Sequence, residues 1–177
     1  MKKFAAALLG LAVLSPIAAL ADGRPLQVVG EMIEINAKPA TVWNIVKDFD
    51  GVTNWAPALS ATSLVKGKNG QRGAVRALTI KDGPTLTEEL VAYDEARMSY
   101  TYVIIESPLP LDNYQSSMVV YGNSSGGTTV SWIGTFTRKN PRDKVGEGES
   151  DADVVKSISG LYQASLQIVK KLAEGKY

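Results

Sequence analysis

One amphipathic segment near the C-terminus constrains this chain more than any other feature. From about Asp153 to Ala173, Val154, Ile158, Leu161, Ser165, Ile168 and Leu172 recur at helical spacing, and Val155, Tyr162 and Val169 widen the stripe. Lys156, Gln163, Gln167, Lys170 and Lys171 take the opposite face. A helix of roughly twenty residues is about 30 Å long. It cannot hide such a stripe by itself, so the rest of the chain must supply an apolar surface for it to lie on. Ser150 with Asp153 resembles a capping box, the acidic residues of 146–153 suit a helix N-terminus, and Gly175 suits its end.

The remaining segments read mostly as strands that could provide that surface. Gln27 to Asn36 alternates, with Val29, Ile33 and Ile35 on one face. Pro39 suits a first helical turn, and Ala40 to Lys47 carries Val42, Ile45 and Val46 on one side. Asp50-Gly51 ends it, and a short second helix or turn runs to Trp55 and stops at Pro57. Strands are then predicted over Ala61–Val65, Arg72–Ile80, Leu86–Asp94, Met98–Ile105, Asn113–Tyr121 and Thr128–Thr137, separated by turn-forming clusters such as Gly67-Lys68-Asn69-Gly70, Asp82-Gly83-Pro84 and Gly122 to Gly127. Hairpin-like spacing implies antiparallel pairing. The expected architecture is α+β: a curved antiparallel sheet of about seven strands, two short helices, and a long C-terminal helix across the concave face.

The N-terminus has the order of a secretory signal, with Lys2 and Lys3, an apolar run from Phe4 to Leu14, a break at Ser15-Pro16, and Ala19-Leu20-Ala21 before the expected cleavage. The apolar run is shorter than the ~20 residues that span a bilayer. Residues 1–21 are therefore expected to be a signal peptide and residues 22–177 one domain, exported, in the periplasm, and not inserted in a membrane. Losing Lys2 and Lys3 takes the 19 basic residues to 17 against 18 acidic ones, a net charge of −1. A near-neutral body argues against nucleic acid as a partner, which calls for a basic footprint.

The 177 residues contain no histidine and no cysteine. This composition excludes Ser-His-Asp and Cys-His nucleophilic sites, Cys/His zinc sites, and haem held by its usual ligands. No metal or cofactor is expected. Asp48 and Asp50 flank Phe49 before Gly51, but the spacing fails the EF-hand loop and suits a helix-ending turn.

Several groups in order along the chain resemble a known superfamily. They are Ile33, Ile35, Ala37, Pro39, Val42 and Trp43; Asp48-Phe49, Gly51, Trp55 and Pro57; Gly70, Arg72-Gly73 and Arg76; Glu88-Glu89-Leu90 with Tyr93-Asp94; Tyr100 and Tyr102; Ser107 to Leu111 with Asn113-Tyr114; and Trp132, Gly134 and Phe136. Their spacing resembles the polyketide cyclase/dehydrase-like members of the START/Bet v 1 (SRPBCC) superfamily, and within it the MxaD-type accessory proteins of periplasmic methanol oxidation. The resemblance implies the helix-grip fold with a cavity between sheet and helix. The spacing of Glu88, Leu90 and Asp94, and the pair Asn113-Tyr114, are similar to those of plant abscisic-acid receptors, in which two loops act as gate and latch.

That comparison, with strand parity, turns Arg76, Leu78 and Ile80, Glu88 and Leu90, Tyr102 and Ile104, Tyr114, Ser116 and Met118, and Trp132 inward, with Leu161 and Ser165 facing them from the helix. The mouth would lie between Lys81–Thr85 and Glu106–Asn113. Arg76 and Glu88 could belong to a ligand site or pair structurally in a filled core. Pro108 and Pro110 would stiffen the second loop and present Leu109 and Leu111 to a partner. The resemblance implies a non-enzymatic accessory protein that binds a periplasmic dehydrogenase or a cytochrome c, a small apolar ligand, or both. The alternative is a cyclase/dehydratase-like enzyme using Glu88 as acid or base with Tyr102 or Tyr114 as hydrogen-bond donor. The export reading has a direct test. N-terminal sequencing of protein from the periplasmic fraction of its host should begin at Asp22, and a chain still carrying Met1 would refute it.

Overall fold

A computed structural model describes residues 20–21, 24–140 and 145–176. The signal expected over residues 1–21 lies outside the described residues except for Leu20–Ala21. That pair forms a two-residue strand, β1, against Arg24-Pro25.

The next elements are β2 (Arg24–Ile35), α1 (Pro39–Val46), a single 3-10 turn (Val52–Asn54) and β3 (Leu59–Lys66). They are followed by β4 (Val75–Ile80), β5 (Thr85–Asp94), β6 (Ser99–Glu106), β7 (Leu111–Gly122), β8 (Thr128–Arg138) and α2 (Asp151–Ala173). The strands form one antiparallel sheet in the order β1-β2-β8-β7-β6-β5-β4-β3. Apart from the two-residue β1, this is the seven-stranded helix-grip arrangement that the alternating segments predict. The expected strand over Arg72–Ile80 is shorter than its pattern suggested. Arg72 lies in an exposed turn, Gly73 has a φ of 87°, and pairing begins at Val75.

Register explains how side chains meet across the concave face. Leu90, Tyr102, Ser116, Gly134 and Val29 stand opposite one another in succession across β5, β6, β7, β8 and β2. Tyr100, Met118, Trp132 and Glu31 make a parallel row. All but Glu31 are buried, because alternate residues of a strand share a face. A sheet with one such apolar face needs a cover.

Helix α2 is that cover. Ser150 Oγ accepts from the Asp153 amide, and the Asp153 carboxylate accepts from the Ser150 amide in return, so the expected capping box is present. The face differs in rotation from the one the sequence suggested. Tyr162, Leu166 and Val169 are at its buried centre, with Val154 and Ser165, while Ile158, Leu161 and Ile168 are half-buried flanks. Edge contacts hold the helix on β2. Glu31 accepts from Ser159 Oγ and from Gln163 Nε2, and Lys170 Nζ donates to the Glu34 carbonyl at 2.7 Å. Near its start, Asp151 faces the buried Arg138 at 3.6 Å.

Gly134 is the closest point of approach between sheet and helix. A Cβ there would stand 2.5 Å from the Tyr162 hydroxyl. Gly134→Ala should therefore destabilise the fold by about 1–3 kcal/mol through overpacking. Removing the hydroxyl leaves the Tyr162 ring carbon at an ordinary 3.5 Å. Denaturant melts should then show Gly134→Ala/Tyr162→Phe losing less stability than the two single changes together.

Candidate functional site

Between the sheet, the Val52–Leu59 segment and α2 lies a cavity of about 100 Å³. Of the residues expected to line it, the structure brings together Arg76, Leu78, Glu88, Tyr102, Ile104, Tyr114, Trp132 and Leu161, with Ile80 at the same wall. Four do not reach it. Leu90 and Met118 are wholly buried in the core, as is Ser165 beneath the helix. Ser116 sits behind the wall, bonded to lining residues. All four lie on inward faces, but a face is larger than the space enclosed on it. Leu86, on the same strand face as Glu88, also lines it, and the structure adds Val52, Ala56, Leu59, Leu109, Ile158 and Tyr162. Most of these come from a connecting segment, a loop, or a helix whose rotation periodicity fixes only loosely.

The loop Ser107–Pro110 departs from expectation. It does not present its leucines. Leu111 is only 5 % exposed, and Leu109 packs against the core and lines the cavity. A tight turn causes this: the Leu109 amide donates to Ser107 Oγ and the Leu111 amide to the Leu109 carbonyl, at 3.0 and 2.8 Å. Pro108 is the exposed residue and Pro110 is half-buried. Below the loop, β6 and β7 stop pairing beyond Val103 and Gln115. A cleft of about 260 Å³ opens there on the outer side, and Ile104 and Tyr114 line both cleft and cavity. Ile80 and Leu86, which flank the 81–85 loop, and Leu109 of the second loop are in the cavity wall.

One side of the cavity carries a charge pair. Arg76 and Glu88 are directly opposite on β4 and β5. Arg76 Nε and Nη2 both donate to Glu88 Oε2, at 2.9 and 2.6 Å, and Nη1 donates to the Phe49 carbonyl. The guanidinium also lies 3.9 Å over the Phe49 ring. Both side chains are almost fully buried. Burial holds the Glu88 carboxyl above its ordinary range, although the Arg76 charge and its hydrogen bonds pull the other way.

Beside it lies a cluster of hydroxyls, with the Arg76 guanidinium 5.3 Å from the centre of the Tyr102 ring. Trp132 Nε1 donates to Tyr102 Oη at 3.2 Å and to Ser116 Oγ at 2.9 Å. Ser116 Oγ donates to the Ile133 carbonyl and is 2.8 Å from the Tyr162 hydroxyl, which is 2.5 Å from that of Tyr114. Trp132 stacks on Tyr162 with centroids 3.9 Å apart and planes 9° from parallel. Desolvation pushes the Tyr162 hydroxyl up to about 12 and lifts Tyr102 and Tyr114 well above the usual phenol range. All three phenols are therefore neutral at physiological pH.

A helix-grip cavity with this lining points to a broad class of proteins, and the sequence match decides which. The profile of the polyketide cyclase/dehydrase and lipid transport family matches residues 27–174. The chain belongs to that family. Solved structures agree on the fold. A protein named XoxI from Bacillus cereus superposes with a TM-score of 0.71 at 27 % identity, over 82 % of this chain and 94 % of its own. An uncharacterised protein from Bacillus thuringiensis gives 0.68 at 28 % identity, over 81 % and 96 %. A protein from Thermobifida fusca gives 0.69 at 24 % identity, over 84 % and 94 %.

In this member of the polyketide cyclase/dehydrase and lipid transport family, Arg76 and Glu88 should behave as one unit. Glu88→Leu alone should cost about 3–5 kcal/mol, whereas Arg76→Met/Glu88→Leu should lie near the parent or above it. A carboxyl with a raised folded-state pKa favours folding at low pH. That contribution is full below the ordinary value of 4.5 and is lost as pH climbs through the folded-state value. Denaturant melts across this range should show the parent losing stability relative to the double replacement as pH rises.

Proposed function

We propose that this protein is a non-enzymatic binding domain: it holds a small, largely apolar molecule in its cavity and serves as an exported accessory of an oxidation system. The observation that carries the binding half is the character of the cavity. Its walls are mainly Leu78, Ile80, Leu86, Ile104, Leu109 and Leu161, with a few polar groups converging at one end. Ligand sites combine such walls with such groups. The family description, which includes lipid transport, supports the same reading.

Catalysis by Glu88 is the weaker reading. A general base must present a free lone pair to the proton it takes. Arg76 holds Oε2 of Glu88 with two donors, and its charge and hydrogen bonds lower the readiness of the carboxylate to take a proton. The accessory half rests on the signal-like N-terminus and on the resemblance to methanol-oxidation accessory proteins. A periplasmic dehydrogenase or its cytochrome c would be the partner. With Leu109 and Leu111 turned inward, that partner would meet the loop at Pro108 and its neighbours.

The cavity sets a size. An apolar cavity of about 150 Å³ accepts benzene, so a space of about 100 Å³ suits around five non-hydrogen atoms. A larger occupant has to displace Leu109. The test uses 2-chlorobutane, followed by the fluorescence of Trp55 and Trp132, whose rings meet edge to face beside the cavity. The expected result is saturable binding with the probe recovered unchanged, and faster electron transfer from an alcohol dehydrogenase to cytochrome c when the protein is added. Absence of binding overturns the cavity reading. Binding without faster transfer overturns the accessory role alone.

A further inference from the structure

We infer that the cavity is built for an uncharged molecule carrying a hydroxyl group, which bridges the Tyr102 and Tyr114 hydroxyls; this rests on the ligand-binding reading above. The argument is a count of protons. The indole Nε1 of Trp132 can only donate, and it donates to Tyr102 and Ser116. The Ile133 carbonyl can only accept, so the Ser116 proton is spent there. In the contact between Ser116 and Tyr162 the proton must then come from Tyr162. In the contact between Tyr162 and Tyr114 it must come from Tyr114. Each hydroxyl has one proton, so the chain runs in a single direction: Tyr114 to Tyr162 to Ser116 to the Ile133 carbonyl.

Two capacities are left over. Tyr102 keeps a proton, and Tyr114 keeps its acceptor lone pairs. Both residues line the cavity, with ring centroids 6.1 Å apart. The two hydroxyls are near enough to hydrogen-bond one another directly, so a ligand hydroxyl has to come between them. A ligand hydroxyl can join them, because it accepts with its oxygen and donates its proton. A ketone can satisfy only Tyr102. A hydrocarbon satisfies neither.

Charge is excluded by the neighbouring ion pair. A carboxylate would need a cation, and the Arg76 charge is already matched by Glu88, which holds Nε and Nη2 while the Phe49 carbonyl holds Nη1. It would also bring a second negative charge into a desolvated space beside Glu88, which is costly without a partner. The guanidinium is therefore not a ligand anchor, although it stands in the wall.

The experiment compares four probes of similar size on the purified protein: butan-2-ol, butan-2-one, 2-chlorobutane and butanoate at pH 7. Tryptophan fluorescence gives affinity, and the Trp132 indole N–H resonance reports occupation of the polar end. Butan-2-ol should bind more tightly than butan-2-one, whereas butanoate should bind at least tenfold more weakly than the alcohol. Tyr102→Phe should weaken butan-2-ol roughly tenfold, as loss of one hydrogen bond does, and leave 2-chlorobutane within about twofold. The unchanged chlorobutane affinity shows that the variant pocket is intact. Equal binding of alcohol and ketone, butanoate binding as tightly as the alcohol, or an alcohol affinity indifferent to Tyr102→Phe would each overturn the inference while leaving the cavity reading standing. If 2-chlorobutane also fails to bind, the cavity reading is lost as well.

Discussion

The contact on which the structure depends is the meeting of Tyr162 with Trp132 over Gly134. The sheet offers an apolar face and α2 an apolar stripe, and either alone would leave that surface in water. Many seatings of a helix on a sheet would hide comparable area. The one adopted is fixed by shape and by polar pairing. Gly134 has no side chain, so the Tyr162 ring can descend and stack on Trp132 while its hydroxyl reaches Ser116 and Tyr114. A buried hydroxyl without partners is costly, so the bonds that satisfy Tyr162 also select the seating. The same residue then forms one wall of the cavity. Fold and site thus share their deciding contact.

The buried charge pair is a second constraint, with an opposite effect. The cross-strand register of β4 and β5 sets Arg76 against Glu88, and the Phe49 carbonyl takes the remaining guanidinium edge. Removing either partner would strand a charge in a desolvated space. Keeping both stabilises little by itself, because desolvation offsets attraction. Its consequence lies in what it denies the cavity. A free arginine would attract acids and a free glutamate would attract amines, whereas the closed pair leaves the wall close to neutral.

The sheet and most of the cavity wall were legible in the sequence, because period-two alternation reports which face a strand residue occupies. Counting groups Arg76, Glu88, Tyr102, Tyr114 and Trp132 with their alternate neighbours, and the family resemblance turns those faces inward, together with Leu90 and Ser116. Alternation is silent about which inner-face residues border empty space, and these last two pack against neighbours instead. Helical periodicity gave the extent of α2 within two residues but not its rotation. Several apolar side chains there span more than one face, and the position of Tyr162 depends on Gly134, which is far from it in sequence and belongs to the sheet. Leu109 and Leu111 were misplaced for another reason. Proline marks a turn without saying which way it folds, and a Ser107 side-chain bond with an amide-to-carbonyl contact two residues apart directs this one inward.

The way the charge pair and the hydroxyls are each bonded bears on catalysis as well as on recognition. Acid–base chemistry on a bound molecule would need a proton-accepting group with unoccupied lone pairs facing it. Here the carboxylate in the cavity wall is paired with the arginine, and the phenols nearby are kept neutral by burial. The hydroxyl chain also ends on a backbone carbonyl, which has no proton to pass on. A relay that terminates in this way can orient a ligand oxygen but cannot carry a proton away from it. The features that make the polar end a good hydrogen-bonding seat are therefore the ones that make it a poor proton shuttle, and the binding role proposed above draws on the same bonds that hold α2 in place.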